Sequence, residues 1–164
     1  MKTEIIILVL ALFSTGLMTG IFFTWSNAVT PGIGKLSDME YLRSLQSMNR
    51  VILNTSFRIV FIGAVITVAL VPIYYYKIFP NYLFWIFLTV FIIYWIGVFG
   101  VTFLGNIPLN RLLENTNLKT KSIEDAKTLR TTIETKWNNL NLIRTVTSGI
   151  SFLLLIISFL FITK

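Results

Sequence analysis

Four stretches of this chain, residues 5–23, 59–76, 82–104 and 146–162, are each apolar for about as long as a helix needs to cross a hydrocarbon core, roughly 17–25 residues. No other feature narrows the fold so far. In lipid, backbone N–H and C=O groups find no water and must pair within their own segment, and these runs lack the strict alternation of barrel strands. They therefore predict an all-α fold, a four-transmembrane-helix bundle forming a single integral membrane domain over 1–164. The first run follows Lys2 and superficially resembles a signal peptide. No small-residue cleavage site follows Phe13, however, and the apolar run continues about ten residues further, so it is read as a retained helix.

Residue types the chain lacks exclude much chemistry. There is no cysteine, hence no disulfide framework or thiolate nucleophile, and no histidine, the commonest metal ligand and neutral-pH proton carrier. Haem, zinc and copper sites are not expected, and no cofactor or metal is assigned. The net charge of +7 reads as topology. Lys35, Arg43, Arg50, Arg58, Arg111, Lys119, Lys121, Lys127, Arg130, Lys136 and Arg144 fall in or beside the first and third loops, against Lys2, Lys77 and Lys164 on the other side. This asymmetry puts the long loops in the cytoplasm and both termini outside, in a bacterial cytoplasmic membrane by the chain's isoleucine-, asparagine-, phenylalanine- and lysine-rich composition. The basic residues are spread along loops rather than gathered on one face, so the expected partner is a lipid bilayer and not a nucleic acid.

Both long loops contain helix starts. Pro31 and Gly32 mark a turn, and Ser37 with Glu40 makes a capping box ahead of Leu42, Leu45, Met48 and Ile52 at helical spacing. This pattern predicts one helix from about Asp38 running unbroken into the second span. Ser122 and Asp125 start another helix, through Ala126, Leu129, Ile133 and Trp137, that runs into the fourth span. Both are expected to project about 20–30 Å past the bilayer. The five-residue link 77–81 requires the second and third spans to be antiparallel neighbours.

Polar residues recur at helical spacing where the spans meet this projecting end. Trp137, Asn141, Arg144, Ser148 and Ser151 share one face of the fourth span, and Thr102, Asn106, Asn110 and Glu114 follow each other at steps of four on the third. Asn49, Asn54 and Arg58 flank the start of the second. Pro108 is expected to kink the third span and free the carbonyl of Leu104, with Asn106 and Asn110 placed to satisfy exposed backbone and also to face inward. Ionisable and amide groups at membrane depth usually face a bundle interior and mark a site, so a shared pocket is expected. The competing reading is that the amides only cap helices and bridge neighbours.

The segments TGIFFTWSNAVTPGIGKL, SMNRVILNTSF, GVTFLGNIPLNRLLE and KWNNLNLIRT, in that order over nearly the whole chain, resemble the anthrone oxygenase-like family of small four-span membrane proteins. Its fungal members are associated with oxidising anthrones to anthraquinones. Family members often carry proline after the second asparagine ahead of the second span, where this chain has Thr55. By the resemblance, Asn49, Asn54, Asn106, Pro108, Asn110, Trp137, Asn141 and Arg144 occupy the family's motif positions.

The resemblance implies a cofactor-independent oxygenase for a hydrophobic phenolic, anthrone-like or quinone-like substrate. Asn110 and Arg144 would hold a developing oxyanion, and Glu114 or a tyrosine would act as base. Asn49, Asn54, Asn106, Trp137 and Asn141 would bind the small hydrophobic ligand. The alternative is a non-catalytic membrane protein that binds a lipid or a partner, its polar seam serving helix packing.

Overall fold

The computed structural model describes residues 2–76 and 81–162, and these form five helices with no strand among the described residues. Four are long and apolar enough to cross a membrane: α1 (Thr3–Ile33), α3 (Thr55–Tyr75), α4 (Tyr82–Glu114) and α5 (Ile123–Ile162). The fifth, α2 (Asp38–Ile52), is amphipathic and lies between α1 and α3. The chain is an integral membrane protein built as an all-α bundle. Around the bundle α1 packs on α3 and α5, and α4 packs on α3 and α5. The residues expected to link the second and third spans, 77–80, and Lys164 lie outside the described residues.

The second span does not continue the helix before it. α2 opens with the expected capping box, Ser37 N–H donating to Glu40 Oε2 at 3.1 Å, and buries Tyr41, Leu42, Leu45 and Asn49 along one face. At Leu53 the backbone leaves helical geometry and at Asn54 it is extended; Asn54 Oδ1 then accepts from Phe57 N–H at 2.9 Å and starts α3. An asparagine offering its own oxygen to the next helix's free N–H groups is a strong N-cap, and here it overrides an apolar periodicity that runs on without a gap. Thr55 takes the first helical position, where the family's proline would fit equally well.

α4 does not break at Pro108. The turns before it widen instead: Trp95–Gly100 and Thr102–Asn106 are in π register, and the Ile107 N–H donates to the Thr102 carbonyl five residues back. A π-turn absorbs a register change that proline forces. α1 does the same at Trp25–Val29 before Pro31, with the Thr30 hydroxyl donating to the Trp25 carbonyl at 3.0 Å.

Two apolar cores result. One fills the membrane part with Leu8, Met18, Ala64, Val68, Phe87, Tyr94 and Leu155; the other joins α2 to α4 and α5 through Tyr41, Leu42, Leu45, Leu113, Ile133 and Trp137. α5, 40 residues and about 60 Å long, runs through both. The glycines of α4 bring it against α5: a methyl group at Gly97 would collide with Thr147, and one at Gly105 would come within 2.8 Å of Leu140. Between the two cores the bundle is not filled.

Candidate functional site: a cavity between the two cores

The unfilled space is a cavity of about 340 Å³ to which all five helices contribute. Its walls are apolar, with Phe22 from α1, Phe57 and Phe61 from α3, and Phe99 and Phe103 from α4. Its polar groups come from the stripes read in the sequence: Asn49, Thr102, Asn106, Asn110, Trp137, Asn141 and Arg144 all line it. The space falls at the lower end of the range usual for small-molecule sites.

Each polar group is held differently. Asn110 Oδ1 accepts from Trp137 Nε1–H at 2.8 Å and from Asn49 Nδ2–H at 3.2 Å, tying α4 to α5 and α2 on the side toward the second core. Trp137 also lies against Trp25, ring centres 5.2 Å apart. Asn141 Nδ2 donates to Ser26 Oγ at 2.7 Å and to the Phe22 carbonyl at 3.2 Å. These acceptors fix the amide's orientation, so its oxygen faces the other way and accepts from Arg144 Nη2–H at 2.7 Å.

Arg144 is 7% exposed, yet no carboxylate reaches it among the described residues. Its further contacts are a 3.5 Å approach to Thr102 Oγ1 and the faces of Phe22, 4.6 Å away, and Trp137, 5.6 Å away; Nε–H has no acceptor. Asn106, at 1% exposure, makes no side-chain hydrogen bond through either its oxygen or its nitrogen. A buried guanidinium without a counter-ion and a buried amide without partners are both costly, by about 1–3 kcal/mol for an unpaired neutral group and more for a charge. Neither Asn106 nor Asn110 engages the backbone freed by Pro108; both instead face the cavity.

Two of the expected site residues are elsewhere. Glu114 continues the α4 stripe by spacing but is exposed, bound through both carboxylate oxygens at 2.8 Å to Arg50 Nε–H. Those hydrogen bonds raise the Arg50 pKa above its ordinary value. Asn54 is exposed and serves as the α3 cap. Among the described residues no aspartate, glutamate, lysine or tyrosine lines the cavity, so no side chain described there is suited to act as a base at neutral pH. Sequence reasoning missed Trp25, Ser26 and the phenylalanine walls. Phenylalanine in an apolar run carries no signal that separates a cavity wall from a lipid-facing side chain.

Comparison with curated proteins and with solved structures gives no match. A family model described as anthrone oxygenase matches residues 50–154, from the end of α2 deep into α5, and so includes Asn106, Asn110, Trp137, Asn141 and Arg144. That is more than half of the chain, and it includes the polar residues of the cavity other than Asn49: this membrane protein belongs to the anthrone oxygenase family.

Proposed function

We propose that the cavity binds a flat, apolar, weakly acidic molecule of the anthrone or phenol class as its anion, and that the protein promotes its oxidation by dioxygen without a cofactor. The observation that supports this reading most is Arg144, buried in apolar surroundings with phenyl and indole walls nearby and no anion of its own. A ligand oxyanion there would accept from Arg144 Nε–H and from the Asn106 amide nitrogen at once. Preorganised donors of this kind, in a site that excludes water, are worth about 3 kcal/mol each to a developing oxyanion.

With no base on the cavity wall, the first proton transfer falls to the substrate and interfacial water. An anthrone methylene loses one proton to give a delocalised carbanion, whose oxygen end Arg144 holds. The carbanion passes one electron to dioxygen, and the resulting carbon radical and superoxide combine into a peroxide anion on the former methylene carbon. Water protonates the peroxide to the hydroperoxide, and loss of the remaining C–H proton with cleavage of the O–O bond then gives a carbonyl and hydroxide. In sum, one methylene and one dioxygen become one carbonyl and one water. Trp137 and Phe22 stack on the rings, and Asn141 positions Arg144.

The excess of basic residues in the long loops supports an orientation with the cavity toward the cytoplasmic leaflet and both termini outside. Oxygen uptake by the purified protein with anthrone, corrected for the spontaneous reaction, tests the reading. Uptake is expected in the wild type and is expected to fall about 100-fold in Arg144→Gln with thermal stability retained. Uptake no faster than in buffer, or equal in Arg144→Gln, would overturn it. On the non-catalytic reading the same substitution lowers stability in detergent and changes no turnover.

A further inference from the structure

The cavity is closed toward the second core and open on the side of the bundle. On the first side lie the Asn49–Asn110–Trp137 hydrogen bonds and, beyond them, the second core of Tyr41, Leu42, Leu45 and Ile133. On the α5 side Gly105 lets Leu140 come within contact of α4. Between α3 and α4 the situation differs along the length of the helices. α3 packs closely on Asn81–Tyr94 and parts from the π-register half, Trp95–Asn106. The residues that edge this gap line the cavity and are also exposed on the bundle surface: Leu53 at 58%, Ile62 at 53% and Phe103 at 49%. Leu104, next to Phe103, and Ile59, three residues before Ile62, are exposed as well. In a membrane span such a surface meets acyl chains.

One charged residue stands at this opening. Arg58 is exposed, lines the cavity, and makes no ion pair among the described residues. It sits one turn into α3, where a long side chain reaches the phosphate layer. Arg58 at the mouth and Arg144 at the inner end thus bracket a path whose other edges are hydrocarbon.

We infer that the ligand reaches the cavity sideways from the bilayer, through the gap between α3 and the π-register half of α4, and that Arg58 selects membrane-dissolved acids at that opening. The inference rests on the ligand-binding reading above and adds the route and the selecting residue. The π-turns of α4 and the α2–α3 break have a consequence here. The widened α4 and the restart of α3 at Asn54 set the two helices apart at the one level where the cavity lies.

The chain's lack of cysteine makes the test direct. Ile62→Cys and Phe103→Cys at the opening, and Ile73→Cys on the lipid-exposed far half of α3, are each reconstituted in nanodiscs and reacted with a benzyl maleimide. Binding of anthraquinone-2-carboxylate is followed by stopped-flow quenching of tryptophan fluorescence. An obstruction in the path slows association and dissociation together, so about tenfold slowing of both is expected at Ile62→Cys and Phe103→Cys, with none at Ile73→Cys. Arg58→Gln is expected to slow association of the acid several-fold and to leave its methyl ester unaffected. Unchanged association in the modified opening variants would overturn the route, as would faster dissociation alone, which reports a filled cavity. Failure of the unmodified wild type to bind the probe at all would instead overturn the binding reading beneath it.

Discussion

Arg130 and Arg144 lie on the same helix, and both guanidinium groups sit 4.6 Å over an aromatic ring, Tyr41 for the one and Phe22 for the other. Around Arg130 every donor direction is used. It donates to Glu134 at 2.6 and 3.2 Å, to Asp38 at 3.0 Å, and to the carbonyls of Leu36 and Gly34 at 2.9 and 2.7 Å. That arginine locks the α1–α2 turn onto α5. Arg144 is more deeply buried and has one short bond, to a neutral amide. A structural arginine is enclosed by its acceptors. Arg144 faces a cavity without them, and the proposed function has its acceptor come from outside the chain.

The contrast can be broken by exchanging what each arginine loses. Arg144→Gln should remove about 100-fold of turnover while the melting temperature holds or rises, because replacing an uncompensated buried charge relieves desolvation. Arg130→Met should do the reverse. It leaves Glu134 and Asp38 without their partner, and calorimetry or denaturant titration should find about 2 kcal/mol lost, less than for a fully buried pair since these carboxylates are partly exposed. Turnover per folded molecule should not change.

The two α4 asparagines sharpen the same comparison at smaller scale. Asn110→Ala orphans Trp137 Nε1–H and Asn49 Nδ2–H and should destabilise by about 1–2 kcal/mol. Asn106→Leu removes an amide with no partners and should leave the empty protein as stable or up to about 1 kcal/mol more stable, while weakening anion binding about tenfold. Smallest of all, Glu114→Gln should leave turnover and binding unchanged, since its carboxylate is committed to Arg50 outside the cavity. A large loss of oxygen uptake in Glu114→Gln would return that residue to the chemistry.

Much of this arrangement was legible in the sequence, and the parts that were not share a cause. The spans, the capping box at Ser37 and the seam Trp137, Asn141, Arg144, Ser148, Ser151 follow from periodicity, which is local, and all five seam residues are buried. Thr102, Asn106 and Asn110 all line the cavity although the first two stand within a π-turn. Glu114 leaves the set because of Arg50, a residue 64 positions away whose partner no spacing rule reveals. The break at Leu53 is local but arises from two rules in conflict, an apolar repeat against an asparagine cap. The gap between α3 and α4 depends on how two helices diverge, and single-chain patterns carry no trace of it.

The central claim is that Arg144 takes its missing anion from a ligand. The most direct test is an equilibrium titration of the nanodisc-embedded protein with anthraquinone-2-carboxylate and with its methyl ester, read by tryptophan quenching, in wild type and in Arg144→Gln. The account expects the acid to bind about 30-fold tighter than the ester, as one charge-assisted contact of about 2 kcal/mol allows, and expects that preference to vanish in Arg144→Gln. Equal binding of acid and ester by the wild type, or a preference that survives the loss of Arg144, would contradict it.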